Sequence, residues 1–179
     1  MYKYKLTEET KVVAGVTVHR IQALKSFGNV TEGDLGGWVA SEDNLSQEGL
    51  CWVSGKACVS GNACVSGKAM VFGYAWVYED AQVYGDAGVF ENARVYGNAK
   101  VFGYAFVSGD AEVSGNAQVY GNAEVFEDAW VYEDAQVYGN ACVSGNAWVC
   151  GDAPVYGNAR VYGYAWMSEG VITSGEYKQ

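Results

Sequence analysis

The residues able to do chemistry are few. The 179-residue chain has one histidine, His19, five cysteines, and 21 acids against 11 bases. His19 is the only side chain whose ordinary pKa suits a general base at neutral pH. It lies in KVVAGVTVHRIQAL beside Arg20, with no acid or nucleophile spaced to form a dyad. His19 is therefore a weak catalytic candidate, and a structural or surface role is expected. A single histidine excludes a His-rich zinc site. The Glu-Asp pairs at 79–80, 127–128 and 133–134 offer the oxygen ligands that suit calcium, but solvated acidic corners are the expected reading. The cysteines form no CxxC motif. No metal and no cofactor are expected.

The elements that must position these groups come from a repeat. From Val53 to Trp166 the chain is nineteen uninterrupted hexads of pattern Val-(Ser/Tyr/Phe)-(Gly/Glu)-(Asn/Asp)-Ala-x. Every hexad starts with Val and has Ala fifth. The third place is Gly in fifteen and Glu in four: Glu79, Glu91, Glu127 and Glu133. Six residues suit a short strand and a tight corner. Ala-x-Val reads as the strand, with Ala and Val inward and x outward. Gly and Asn/Asp tolerate the left-handed backbone a corner needs. Three sides close a triangle, so eighteen residues make a coil, and each Val stacks on another eighteen residues on. The fold class is all-β, a parallel β-helix filled by Val and Ala.

In this register residues 47–172 form about seven coils, about 34 Å tall at strand spacing. Gly49 and Cys51 take the Gly and Ala places at one end, and Val171 takes the inward Ala place at the other. Residues 1–46 lack the hexad and should form an N-terminal cap, because a solenoid end exposes unpaired strand edges. KVVAGVTVHRIQAL predicts a β-hairpin around Gly15. Leu35, Trp38, Val39 and Leu45 are the expected core anchors of the glycine-rich segment that follows. Residues 173–179 form a short polar tail.

The string GDLGGWVASEDNLSQEGLCWVSGKA carries Gly36, Gly37, Trp38, Asn44, Leu45, Ser46, Gln47, Gly49, Cys51 and Trp52. It resembles the lead-in segment of the YdcK-like hexapeptide-repeat proteins of enterobacteria and of their phage- and gut-bacterial relatives. The resemblance implies a left-handed β-helix. Members are often labelled transferases, without assigned catalytic residues to carry across. Hexapeptide-repeat acyltransferases share the prism but use a histidine base at a subunit groove, often with a loop leaving the coil. No histidine and no loop excursion occur within these repeats.

The outward x positions, read every eighteen residues, define three faces. One is aromatic-rich: Cys58, Trp76, Arg94, Glu112, Trp130, Trp148 and Trp166. Trp130, Trp148 and Trp166 fall on successive coils, close enough to stack, and Trp76 over Arg94 suits a cation–π contact. Tyr78, Tyr96 and Tyr132 broaden the strip at the adjoining corner. Another corner carries Tyr84, Phe102, Tyr120, Tyr138 and Tyr156, expected as a stabilising aromatic ladder. Cys51 should point inward, Cys58, Cys64 and Cys142 outward, and Cys150 lie at a corner. Exposed unpaired thiols suit a reducing compartment.

The formal charge of −10 excludes the basic footprint of a nucleic-acid binder. No apolar run is long enough to span a membrane, and MYKYKLTEETK is not a secretory signal, so a cytoplasmic protein is expected. The leading expectation is a non-enzymatic binding or assembly module. Its aromatic face, Trp76, Arg94, Trp130, Trp148 and Trp166, would meet a protein partner or a second copy. The alternatives are an acyltransferase-like enzyme with an intersubunit site and an acidic inhibitor or decoy of a host protein.

Overall fold

A computed structural model describes residues 2–178. Strands β1 (Tyr4–Val13) and β2 (Val16–Ala23) form the expected antiparallel hairpin, turning at Ala14–Gly15. β3 (Leu35–Val39) pairs antiparallel with β2 and parallel with Cys58–Val59, so the hairpin extends one face of the solenoid. Beyond β3 the chain winds as a parallel β-solenoid whose rungs are two-residue x-Val strands at three-sided corners.

The three sheets run along the axis. The aromatic face is a ten-stranded sheet from β1 to Trp166–Met167. The second has eight strands, from Trp52–Val53 to Glu176–Lys178, and the third has six. In the repeats each rung pairs with the residue eighteen on, as in Trp76↔Arg94 and Arg94↔Glu112. The corners join the ladder too: Lys56 N–H donates to Gly73 O at 2.8 Å. Every Val and Ala of the nineteen hexads is buried. All nineteen third positions have positive φ, including the four glutamates.

The described residues make eight coils rather than about seven, because the sheet bridges take in Leu45↔Val65 and Val155↔Ile172 and β3 supplies the first rung. Val39 pairs with Val59, and Leu45 with Val65, at a spacing of twenty. Trp52 pairs with Met70 at the regular eighteen. Two extra residues therefore sit in the corner after Leu45, which hides this coil from a hexad count. Gln47 fills that corner: its Oε1 accepts from the N–H of Lys3 and of Tyr4, at 2.8 and 3.3 Å. Gly36 leaves room for β3 against the prism. A Cβ there would lie 2.5 Å from Ile21 Cγ1 and 2.6 Å from Val53 O.

The other end is corrected by one residue. Met167 pairs with Val149 at eighteen, but Ile172 pairs with Val155 at seventeen. Losing one residue reverses the strand alternation. Ile172 therefore packs on the core, and Val171, expected inward, is 60% exposed. The tail adds a parallel strand, Glu176–Lys178, beside Arg160–Tyr162.

Candidate functional site

The aromatic face is not one continuous strip. Cys58, expected outward and free, is buried beneath the cap between Val18, Trp38 and Trp76. The prism does point it outward, but the hairpin lies over it. Trp76 is half-buried, edge-on to Tyr78 at 5.5 Å, and the hairpin tip at Val13, Ala14 and Val16 overhangs it in a cleft of about 410 Å3. The expected Trp76–Arg94 cation–π contact gives way to an ion pair: Arg94 Nη1 reaches Glu112 Oε1 at 3.1 Å. Tyr96 Oη donates to the other carboxylate oxygen at 3.0 Å. Cation–π contacts instead flank Trp38, with Lys11 Nζ at 4.3 Å and Arg20 Cζ at 5.7 Å.

The C-terminal half of the face is where the indoles gather. Trp130 and Trp148 stack at 5.2 Å with planes 8° apart, and Tyr132 meets Trp148 edge-on at 6.4 Å. Trp166 swings aside, and its Nε1–H donates to Cys150 Sγ at 3.3 Å. The far face of Trp148 consequently opens onto a cleft of about 440 Å3 lined by Asn146, Tyr164 and Trp166. Trp130, Trp148, Trp166 and Tyr164 are 39%, 43%, 61% and 77% exposed. The Tyr132 phenol is pushed up to about 12, first by its hydrogen bond with the Cys150 thiol and then by burial. The Trp130–Trp148 stack covers one face of each indole, and Trp148 lines the open cleft together with Trp166.

The corner aromatics stack as expected by their eighteen-residue spacing. Tyr78 and Tyr96 lie 4.9 Å apart. Tyr84, Phe102, Tyr120, Tyr138 and Tyr156 form an unbroken ladder at 4.8–4.9 Å. A third cluster was missed: Phe72 stacks on Phe90 at 5.0 Å, and Phe106 meets Phe90 edge-on at 6.1 Å. Its signal was Gly88, whose absent side chain leaves room for Phe106. A Cβ there would lie 2.7 Å from the Phe106 ring.

The corner glutamates have a structural task. Oε2 of Glu79, Glu91, Glu127 and Glu133 accepts the backbone N–H of Gly97, Gly109, Gly145 and Gly151, one coil on, at 2.5–2.8 Å. One oxygen of each glutamate in the candidate calcium pairs is thus already engaged. Among the described residues no three His, Cys, Asp or Glu side chains converge as a metal set. Beside them run Asn ladders, such as Asn98→Asn116→Asp134 and Asn122→Asn140→Asn158, each Nδ2 donating to the next Oδ1 at 2.9–3.0 Å.

His19 is half-buried on β2, with Nδ1 3.4 Å from Thr7 O. Its neighbour Arg20 pairs with Glu9 at 3.3 Å. The cap's buried polar groups are Lys3 and Asn44. Lys3 Nζ donates to Cys51 O at 2.9 Å and lies 3.1 Å from Cys51 Sγ. Among the described residues, no helix is long and apolar enough to cross a membrane.

The eighteen-residue coil is also the unit of similarity to known proteins. The YdcK Beta solenoid repeat matches residues 117–133, 135–151 and 153–169, one coil each. Three successive coils of this β-solenoid are thus similar to the YdcK repeat. The matched YdcK-type coils carry Trp130, Trp148 and Trp166. A relative of Escherichia coli (strain K12), named "Uncharacterized acetyltransferase YdcK", is 36% identical over 61 residues, which is 30% of this chain and 19% of the relative. The match thus spans about a fifth of that YdcK protein's length.

Proposed function

We propose that this solenoid is a non-enzymatic binding module whose protein contact is the C-terminal part of the aromatic face, Trp130, Trp148 and Trp166 with Tyr132 beside them. One observation carries the reading: the Trp130–Trp148 stack is exposed and ends on an open cleft between Trp148 and Trp166. Contiguous exposed aromatics mark interaction sites, and Trp and Tyr dominate the energetic centres of interfaces. Trp76 and Tyr78 line a separate cleft under the hairpin tip, with Arg94 and Tyr96 beside them on the next coil. The ladder from Tyr84 to Tyr156 is read as stabilising the coils, since each ring is half-buried and its neighbours cover both faces of the inner three.

A selection from a displayed random-peptide library tests the reading, with Trp148→Glu as the counter-target. Enriched peptides that bind wild type and lose binding to Trp148→Glu are expected. Enrichment indifferent to the substitution, or none, sinks the binding face.

A second reading, an acyltransferase-like enzyme, is favoured by the acetyltransferase name of the relative. His19 would be its base. Calorimetry with acetyl-CoA decides: millimolar-range binding with turnover lost in His19→Ala supports an enzyme, and no binding removes it.

A further inference from the structure

The corners on either side of the Trp130–Trp148 stack break the ladder rule. At six corner steps an Asn donates its side-chain N–H to the Asn or Asp one coil on. Asp has no proton to donate at neutral pH, so an Asp followed by Asp ends the ladder and stacks like charges. That happens at Asp110–Asp128 and at Asp134–Asp152. The first pair stands on the corner before the aromatic face, the second on the corner after it. Asp110, Asp128, Asp134 and Asp152 are all exposed. Glu127 and Glu133 bracket Trp130 on its own coil. From Val101 to Ala159 the chain has eight acids and no Lys or Arg. A break in local consistency on both flanks of one exposed aromatic patch is the pattern of a binding site.

We propose that this face binds a cationic polypeptide segment, with an arginine or lysine side chain seated on the open face of Trp148 and the two Asp pairs holding its flanking bases. The proposal rests on the binding-face reading above. An indole face attracts a cation, and a guanidinium also stacks flat on it. Asn146, above Asp128 in the same column, adds an amide at the cleft wall, where Tyr164 replaces the next ladder partner. The patch extends over three successive coils, about 10 Å, which an extended segment of three residues spans. A second copy fits poorly, because it would bring the same acidic rims and a further charge of −10.

The test uses the full chain, an acetylated Arg-Gly repeat peptide and its Glu-Gly counterpart, followed by tryptophan fluorescence and calorimetry at low and physiological salt. The Arg peptide should bind, more weakly as salt rises, and the Glu peptide should not. Trp148→Leu, which keeps an apolar side chain without an indole face, should weaken binding about five- to thirtyfold. Asp128→Asn with Asp152→Asn should lower affinity and flatten the salt dependence. Thermal melts of each variant separate lost binding from lost folding. Binding that is absent at millimolar peptide, or equal in wild type and Trp148→Leu, overturns the proposal; the latter means diffuse attraction to an acidic rod. Neutral peptides that need Trp148, or a concentration-dependent dimer in light scattering that Trp148→Glu abolishes, also overturn it while leaving the binding face standing. If no ligand depends on Trp148, both readings fall together.

Discussion

Glu127 places a carboxylate oxygen 2.5 Å from the backbone nitrogen of Gly145, its equivalent one coil on. Glu127 holds φ at 61°, which a side chain other than glycine adopts at a cost of about 1 kcal/mol. The bond to Gly145 offsets that cost. Glu127→Ala keeps the strained angle and loses the bond, so it should destabilise by about 1 kcal/mol. Glu127→Gly relieves the angle as it loses the bond and should be near neutral. Gly145→Ala should be worse than either, since its Cβ would lie 2.9 Å from Gly163 N. Urea denaturation of the three variants gives the order.

Asn44 is buried with all its hydrogen bonds made. Its Oδ1 accepts from Ala40 and Ser41 N–H at 3.0 and 2.9 Å, and its Nδ2 donates to Gly61 and Ala63 carbonyls at 3.0 and 2.8 Å. It ties the irregular first coil to the second. Asn44→Ala should cost about 2–4 kcal/mol by leaving buried partners unsatisfied. Asn44→Asp is the same shape yet should cost at least as much near neutral pH. It keeps the acceptor but turns a carboxylate toward two carbonyls. A chemical denaturation series showing Asn44→Asp close to wild type would refute this account.

Tyr78 gives the stability a dependence on alkaline pH. Burial, then Tyr96 and the acids Glu112 and Glu79, push its phenol up from 10.0 to about 12. The folded state therefore keeps a proton that the unfolded chain releases above pH 10, and stability falls as pH rises between the two values. The contribution is complete below pH 10. Denaturation midpoints should drop between about pH 10 and about pH 12, and drop less in Tyr78→Phe. An equal drop in both proteins would assign the effect to other tyrosines.

The five thiols divide by burial. Cys51, Cys58 and Cys150 are buried, and Cys64 and Cys142 are half-buried. Burial also pushes the Cys58, Cys64 and Cys142 thiols up, so all three react slowly at neutral pH. An aromatic disulfide reagent should titrate two thiols in the native protein and all five in denaturant. Rapid native reaction of Cys58 would mean that the hairpin lifts off the aromatic face.

The period of six and the alternation of Val and Ala were enough to read the parallel solenoid, its eighteen-residue coil and the Tyr84–Tyr156 ladder, because a uniform repeat maps each residue onto one place. The same uniformity explains the errors. The first coil carries two extra residues and the last lacks one, so counting hexads missed a coil and put Val171 inside instead of Ile172. Outward and exposed were equated at Cys58, where the prism sets direction but a hairpin from elsewhere in the chain sets cover.

For the candidate site, the sequence by itself determined the column: which residues share a face, that Trp130, Trp148 and Trp166 are successive, and that Glu127–Asp128 and Glu133–Asp134 bracket Trp130. Those follow from backbone period alone. The tertiary structure decided side-chain direction. Arg94 turned to Glu112, Trp166 turned to Cys150, and the far face of Trp148 was left open. Arg94 had Trp76 and Glu112 as neighbours within its column and Trp166 found Cys150 two positions off it, so membership of a column does not select a rotamer.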